Sequence, residues 1–192
     1  MSPAKEKILS VASTTFSKYG FYKTSMDEIA RSSRKAKGSL YYHFTNKEQL
    51  FKEVVKGELN YLEEVLTIIF DQTHFDSRDI LKAYMLKRME ILKSSLNYQE
   101  TLRPEFYEYY DFLTDIKSEM DEWETTQIMN TLKKGVEQGE LELPGDLLVY
   151  AEVLVMTLKG LETPFYLQGG YERLEVHFDN LINVITKGIT KF

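Results

Sequence analysis

The sequence predicts an all-α protein in which a short N-terminal helical module precedes a larger helical domain. Apolar residues recur at helical spacing along most of the 192 residues, and almost no segment shows the alternation typical of strands. Residues 1–56 carry eleven Lys or Arg against five Asp or Glu, whereas residues 57–192 carry thirteen against twenty-five. This division indicates a polyanionic partner for the basic end, although chance variation in charge explains it equally well.

The first helix is predicted from Ser2-Pro3 to Gly20. Serine is a favoured N-cap, and proline is favoured at the first helical position because the N–H that it lacks has no helical partner there. Glycine tolerates the left-handed conformation that often closes a helix. The apolar residues on one face of this helix are Ile8, Ala12, Phe16 and Tyr19.

Two short helices and the start of a long one follow. Ser25 and Glu28 are spaced as a capping box, in which each side chain accepts a hydrogen bond from the backbone N–H of the other residue. After the polar turn SSRKAK, apolar spacing predicts a helix over Lys37–His43. Thr45 and Glu48 form a second capping box, which opens the long helix. Three short helices and the beginning of a long one within about sixty residues indicate a helix-turn-helix unit.

The remainder predicts longer amphipathic helices with boundaries at Gly139 and Pro144-Gly145. Pro164 is expected to kink or end one of them, because proline lacks an N–H and its ring clashes with the preceding turn. The segment before it is apolar on almost all sides and needs partners on more than one face. It is either the central helix of a monomer or part of a four-helix dimer interface formed with the last helix. The predicted ranges are 79–96, 104–112, 115–135, 146–167 and 171–187.

Residues 24–51, TSMDEIARSSRKAKGSLYYHFTNKEQLF, resemble the DNA-binding segment of the TetR family of bacterial transcriptional regulators. The matching positions are Thr24-Ser25, Ile29-Ala30, Lys37-Gly38-Ser39-Leu40-Tyr41, Tyr42-His43, Phe44 and Lys47-Glu48-Gln49-Leu50, preceded by Ile8, Leu9, Ala12, Phe16 and Gly20 of the first helix. Beyond about residue 55 the resemblance rests on length and helix order alone. It implies a helix-turn-helix DNA-binding domain at residues 1–46 and a larger helical effector-binding and dimerisation domain at residues 47–192.

The resemblance and the position within the motif assign DNA contacts to individual residues. Side chains near the N-terminus of a short helix reach base edges in the major groove, which indicates Lys37, Gly38 and Tyr41. Gly38 also lets the backbone approach DNA closely, while Leu40 and Phe44 are expected to hold the helix against the first two. The expected phosphate contacts are Thr24, Ser25, Arg34, Lys35, Ser39, Tyr42, His43 and Lys47. Outside this motif, the two tyrosines would be interpreted as half-buried aromatics and His43 as a surface residue.

The turn before the third helix departs from the family pattern at three positions. Arg34 stands where the family usually has glycine, and a left-handed arginine costs about 1 to 2 kcal/mol. Lys35 replaces a valine that is usually buried, and Ala36 replaces a serine cap whose loss costs about 1 kcal/mol. Either the turn is shaped differently and holds the helix loosely, or Arg34 and Lys35 add phosphate contacts that offset the weaker packing.

For the second domain, the resemblance implies a homodimer formed by the last two helices and a pocket for a small-molecule effector. Packing in a core or an interface is the more frequent explanation for any one of the candidate pocket residues. The candidate pocket residues are Tyr84, Met85, Met89, Phe106, Tyr107, Tyr109, Tyr110, Met120, Trp123 and Phe165. The candidate dimer-interface residues are Leu154, Leu158, Leu161, Leu174, Phe178, Leu181, Ile182 and Ile185.

We therefore expect a homodimeric, sequence-specific regulator that binds an inverted repeat in double-stranded DNA and, as a repressor, is released by an effector. The alternative is a helical ligand sensor with weak or lost DNA affinity. An enzyme is disfavoured, because the sequence has no cysteine, no phosphate-cradling glycine loop and no nucleophile elbow. Asp71 and His74 supply at most two metal ligands, so neither a metal nor a cofactor is expected.

The sequence also predicts a cytoplasmic protein with no membrane partner. Its N-terminus lacks the continuous apolar run of a signal peptide. The longest apolar stretch, residues 147–158, is interrupted by Glu152 and is shorter than the roughly 20 residues of a membrane-spanning helix.

Overall fold

The structure, a computed structural model, describes residues 2–72, 74–109 and 111–187, with side chains described except at 107–109 and 185–187. The described residues form helices joined by turns and contain no strand, which confirms the predicted all-α fold. The α-helices are α1 (Pro3–Tyr19), α2 (Met26–Ser32), α3 (Lys37–His43), α4 (Lys47–Phe70), α5 (Ser77–Ser94), α6 (Leu96–Glu100), α7 (Pro104–Tyr109), α8 (Thr114–Glu137), α9 (Leu147–Glu162), α10 (Gly170–Leu174) and α11 (Phe178–Lys187). Single 3-10 turns occur at Asp111–Leu113 and Glu175–His177.

The chain packs into two compact units that do not follow one continuous division. The first unit comprises the residues up to Asn60 together with Ser95–Ile116, and the second comprises Tyr61–Ser94 and the described residues from Lys117 onward. Helix α4 contributes residues to both. This grouping differs from the predicted division at residues 46 and 47, because the first half of α4 and helices α6 and α7 pack with the N-terminal helices.

An aromatic cluster forms the core of the first unit. The ring of Phe51 on α4 lies 5.0 Å from Phe16 of α1 and 4.9 Å from Phe21, measured between centroids. Phe106 of α7 adds contacts of 5.4 Å to Phe21 and 5.6 Å to Phe51. All four rings are buried. Phe106, a candidate for the effector pocket, lies in this core.

A half-buried carboxylate joins α4 to α6 within the same unit. One oxygen of Glu58 accepts a 2.7 Å hydrogen bond from the Tyr98 backbone N–H, and the other accepts bonds from the Asn97 backbone and side-chain amide. Glu58 therefore caps the N-terminus of α6, where helical amides lack partners. Burial raises the pKa of Glu58 above its usual value, against the opposing effect of these hydrogen bonds.

The second unit contains a buried ionic network. Arg88 of α5 donates through Nε to Glu124 of α8 at 2.7 Å and through Nη2 to Glu162 of α9 at 2.8 Å. The hydroxyl of Tyr84 donates to the same oxygen of Glu124 at 2.7 Å. These four side chains are almost fully buried. The network fixes three helices at one point, and loss of one member would leave a buried charge unpaired.

The prediction for Pro164 is confirmed. Helix α9 ends at Glu162, and Pro164 lies in the π-helical turn Thr163–Leu167 that follows. A Cβ atom added to Gly170 would lie 2.6 Å from the carbonyl oxygen of Pro164, so this close approach of two backbone segments requires glycine. The predicted final helix is also divided, since α10 and a 3-10 turn precede α11.

Candidate nucleic-acid interface

Helices α2 and α3 are joined by a turn that contains a strained arginine. The Arg34 N–H donates to the Arg31 carbonyl at 3.1 Å, and the Lys35 N–H donates to the Ala30 carbonyl at 3.0 Å. This pair of hydrogen bonds is the Schellman closure of α2, which places Arg34 at the left-handed position that glycine favours. Its φ is +54°, so the conformation considered from the sequence is present, at a cost of about 1 to 2 kcal/mol.

The start of α3 is weakly capped. Ala36 occupies the N-cap position and its side chain makes no capping hydrogen bond, as expected for an alanine that replaces serine. By contrast, Ser25 caps α2 by accepting a 3.2 Å hydrogen bond from the Glu28 N–H. Helix α3 is held instead by its apolar face, because Leu40 and Phe44 are at most 1% exposed. These two residues therefore have the packing role expected of them.

The opposite face of α3 is open. Tyr42 is 85% exposed and Tyr41 is 43% exposed, which is unusual for large aromatic side chains in a folded chain. Gly38, the second residue of α3, is exposed, and a Cβ atom added to it would meet nothing within 4 Å. Packing within the chain therefore gives no reason for a glycine at this helical position, where it is less favourable than alanine.

An ion pair holds the first residue of α3. The Nζ of Lys37 lies 2.7 Å from Oδ1 and 3.0 Å from Oδ2 of Asp27, near the start of α2. It also lies 5.9 Å from the ring centroid of Tyr41. The hydrogen bond to Asp27 raises the pKa of Lys37. Sequence reasoning missed Asp27, because the pair spans ten positions and no local pattern joins them.

The structure separates the expected phosphate-binding residues into two groups. Ser25, Arg34 and Tyr42 are exposed, and Lys35, Ser39 and His43 are partly exposed on the same two helices and their turn. The remaining two, Thr24 and Lys47, have their polar groups engaged within the protein.

Thr24 is 2% exposed and its hydroxyl donates to the Gly20 carbonyl at 2.8 Å, so this side chain does not contribute to the open surface. The Nζ of Lys47 donates to the Phe21 carbonyl at 2.9 Å and lies 4.3 Å from the Phe21 ring centroid. Burial lowers the pKa of Lys47. In this structure the ammonium joins α4 to the loop after α1.

The second capping box is shifted by one residue from its predicted place. Asn46, not Thr45, accepts the hydrogen bond that caps α4, at 2.7 Å from the Gln49 N–H. Gln49 reaches back to accept from the Thr45 N–H at 2.7 Å and its hydroxyl at 3.0 Å. Because α4 begins at Lys47, the residue three positions after its cap is Gln49, not Glu48.

The predicted effector residues are only partly brought together. Tyr84, Met85, Met89, Met120 and Phe165 are buried in the second unit. Trp123 is half-buried there, and Phe70 lies between it and Tyr84, with centroid distances of 5.9 Å and 5.1 Å. The side chains of Tyr107 and Tyr109, and all of Tyr110, lie outside the described residues.

A cleft of about 500 Å³ opens in the first unit, at the end of α1 and beside α6. Among the residues that line it are Tyr19, Gly20, Tyr22, Glu100 and Arg103. None of the predicted pocket residues whose side chains are described does so.

The predicted dimer residues lie on both the inner and outer sides of the second unit. Leu158, Phe178 and Ile182 are buried within the unit itself. Leu154, Leu161 and Leu174 are half-buried, Leu181 is exposed, and the side chain of Ile185 lies outside the described residues. The exposed apolar residues of α9, α11 and the 3-10 turn before α11 are Leu148, Val149, Val153, Met156, Val176, Leu181 and Val184.

The part of the chain that the structure describes contains neither a metal-ligand cluster nor a membrane-spanning helix. No three His, Asp or Glu side chains among them are grouped to hold a metal ion. No helix in that part of the chain is both long enough and apolar enough to cross a membrane.

Comparison with known proteins identifies the N-terminal segment. The family described as "Bacterial regulatory proteins, tetR family" matches residues 8–54. IcaR of Staphylococcus epidermidis, an HTH-type negative transcriptional regulator of the biofilm operon icaADBC, is 36% identical over 83 residues. IcaR of Staphylococcus aureus is 34% identical over 83 residues. Each match covers 43% of this chain and 44% of the relative, so the similarity spans less than half the length of these curated relatives.

Solved structures resemble the chain over almost its whole length. A transcriptional regulator from Cytophaga hutchinsonii has a TM-score of 0.75 and 26% identity, covering 97% of this chain and 98% of that one. SmeT in complex with triclosan has a TM-score of 0.79 and 19% identity, covering 99% and 93%. FadR from Bacillus subtilis in complex with stearoyl-CoA has a TM-score of 0.77 and 17% identity, covering 96% and 98%. The last two likenesses show the fold alone. With the helix-turn-helix geometry and the match over residues 8–54, these comparisons confirm the resemblance seen in the sequence: the N-terminal helix-turn-helix segment of this chain is that of the TetR family of bacterial regulatory proteins.

Proposed function

We propose that this chain is a sequence-specific DNA-binding transcriptional regulator, acting as a repressor that a small-molecule effector releases from its operator. The observation that carries the proposal is Gly38. It lies in a helix, on an exposed face, with open space where a side chain would be. A glycine that the free protein does not need is explained if a DNA backbone or base edge approaches it closely. The match of residues 8–54 to the TetR family also supports a regulatory protein rather than an enzyme.

The side chains around Gly38 fit this role. Lys37 and Tyr41 flank it as candidate base contacts, and Ser25, Arg34, Lys35, Ser39, Tyr42 and His43 are the candidates for phosphate contacts. Phosphate contacts position a protein on DNA, and base contacts give it a sequence preference. The excess of positive charge in residues 1–56 supplies the attraction to a polyanion, while the acidic remainder of the chain repels DNA. An action on the bacterial chromosome also implies a cytoplasmic location.

The regulator acts as a homodimer on an inverted repeat. We assign the dimer contact to the exposed apolar residues of α9 and α11, including Val149, Val153, Met156, Leu181 and Val184. Two-fold readers of this type need half-sites about 34 to 36 Å apart, so each operator half would receive one copy of α3.

The effector is assigned to the second unit, where Tyr84, Met85, Met89, Met120, Trp123 and Phe165 are the candidate pocket residues. SmeT and the Bacillus FadR, which share the fold, were each solved with a small molecule bound. An effector that binds more tightly to the conformation with poor DNA affinity would release the operator by linkage. A ligand sensor without DNA affinity is less favoured, because it leaves the open face of α3 unexplained.

Selection of duplexes from a random pool by the full-length protein tests the proposal. We expect enrichment of an inverted repeat, and we expect affinity for it to fall steeply as salt rises. Enrichment of no sequence, even at low salt, would contradict a DNA-reading function. Light scattering on the same sample tests the dimer independently, and a monomer at micromolar concentration would rule out two-fold reading.

A further inference from the structure

The ion pair between α2 and α3 presents a hydrogen-bond donor and an acceptor side by side. Lys37 Nζ and the Asp27 carboxylate are 2.7 to 3.0 Å apart, and the two side chains are 60% and 56% exposed. Tyr41 lies against the ammonium on the α3 side, at 5.9 Å from its ring centroid. An exposed ion pair of this kind contributes little to folding, so stability gives little reason for it.

The major-groove edge of a base pair presents the complementary arrangement. In a G·C pair the O6 acceptor of guanine is next to the N4 donor of cytosine, and in a T·A pair the O4 acceptor of thymine is next to the N6 donor of adenine. These neighbouring atoms are themselves partners in the base pair, so they are separated by a hydrogen-bond length of about 2.9 Å. That separation matches the distance between the ammonium and the carboxylate.

We propose that Asp27 and Lys37 act together as one reading unit, a pair of side chains that recognises a single base pair. Lys37 donates a hydrogen bond to a keto base, G or T, on the strand that it faces, and Asp27 accepts one from the amino base on the other strand. This inference rests on the proposed function, in which α3 enters the major groove. While the ion pair is intact, the carboxylate lies within hydrogen-bonding distance of any base edge that Lys37 Nζ contacts. A reversed pair, A·T or C·G, sets an amino group against the ammonium and a keto group against the carboxylate.

Asp27 has a different role from Lys37 in this unit. A lysine acting alone can donate a hydrogen bond to any major-groove acceptor, including N7 of adenine, and therefore discriminates poorly between purines. The carboxylate removes that tolerance by rejecting keto groups on the opposite strand. It also introduces a negative charge close to the phosphates, which weakens binding to all DNA. Asp27 therefore lowers affinity overall and increases selectivity at one position.

The test begins with the duplex that the wild-type full-length protein enriches from a random pool. Fluorescence anisotropy then measures affinity for that duplex and for versions with one base pair exchanged. At one position in each half-site, wild type is expected to accept G·C and T·A and to lose about tenfold in affinity with A·T or C·G. Asp27→Ala should reduce this loss to about twofold, should leave the other positions unchanged, and should bind random duplex more tightly.

Two further variants distinguish base recognition by the Asp27 carboxylate from a general effect of its negative charge on DNA binding. Glu28→Ala removes an acid from the same turn of α2, away from the ion pair, and is expected to keep the wild-type base preference. Asp27→Asn keeps an acceptor oxygen without the charge and should show an intermediate penalty, whereas a purely electrostatic role would make it behave like Asp27→Ala. If the selected site shows the same base preferences with wild type and Asp27→Ala, the reading unit is refuted while the proposed function stands. If wild type enriches no sequence, both fail together.

Discussion

Replacement of Gly38 by alanine should affect folding and DNA binding in opposite directions. The new methyl group would enter open space, since no atom lies within 4 Å of its position, so no steric cost is expected in the free protein. Alanine is more favourable than glycine in a helix by about 0.5 to 1 kcal/mol, with the lower value expected near the helix start. For a chain of this size, that gain raises the melting temperature by about 1 to 4 °C.

The same methyl group should obstruct DNA. Loss of one close base contact costs about 1 to 3 kcal/mol, which corresponds to a decrease in affinity of about 5- to 150-fold. Fluorescence anisotropy with the selected operator measures this decrease, and thermal melting measures the change in stability.

Gly57 provides a matched control for Gly38. It is an exposed glycine within α4, and a Cβ atom there would also meet nothing within 4 Å. Gly57→Ala should therefore stabilise the protein and leave operator affinity unchanged. If Gly38→Ala binds the operator as tightly as Gly57→Ala does, close approach of DNA to α3 is refuted, together with the observation on which the proposed function rests.

Three other variants test the remaining features. Arg34→Gly should stabilise the protein by about 0.5 to 1 kcal/mol in urea unfolding, because relief of about 1 to 2 kcal/mol of left-handed strain exceeds the added entropy of the unfolded chain. Arg34→Ala, which retains the strain, should give no such gain. If Arg34 contacts a phosphate, either change should reduce the slope of log affinity against log salt by about 0.9. Arg88→Met should destabilise the second unit by about 3 to 5 kcal/mol because it leaves the carboxylates of Glu124 and Glu162 without their buried cation, and a neutral result would contradict the network's role. Burial lowers the pKa of Lys117 to about 8, so the folded protein binds this proton less tightly than the unfolded chain does. The free energy of unfolding should therefore rise as pH increases from about 8 toward 10.5. Lys117→Met should flatten that rise.

The N-terminal helices were predictable because their signals are local. Ser2 caps α1 by accepting a 3.3 Å hydrogen bond from the Lys5 N–H, and Ser25 does the same for α2. The left-handed conformation at Arg34 was anticipated because a glycine usually occupies that position of the motif. In each case the residues that determine the geometry lie within a few positions of one another, so the sequence alone contains the information.

The second unit was less predictable because its contacts join distant residues. The partners of Arg88 lie 36 and 74 positions away, and no sequence spacing indicates them. Helix α9 is apolar on nearly every side, so its sequence did not show that Leu158 faces the core while Met156 is exposed. The surroundings of Phe106 were equally hidden, since its immediate neighbours in sequence are Glu105 and Tyr107 whereas its neighbours in space are Phe21 and Phe51.

The aromatic cluster of the first unit limits how this chain can be recombined with its relatives. A fragment ending at residue 46 would retain Phe16 and Phe21 but lose Phe51 and Phe106, which cover them. The polypeptide passes between the two units at residues 60, 94 and 116, so a single cut does not isolate either one. A chimaera that transfers the DNA specificity of this chain must therefore carry α6 and α7 as well, or graft only surface residues of α2 and α3 onto an intact host.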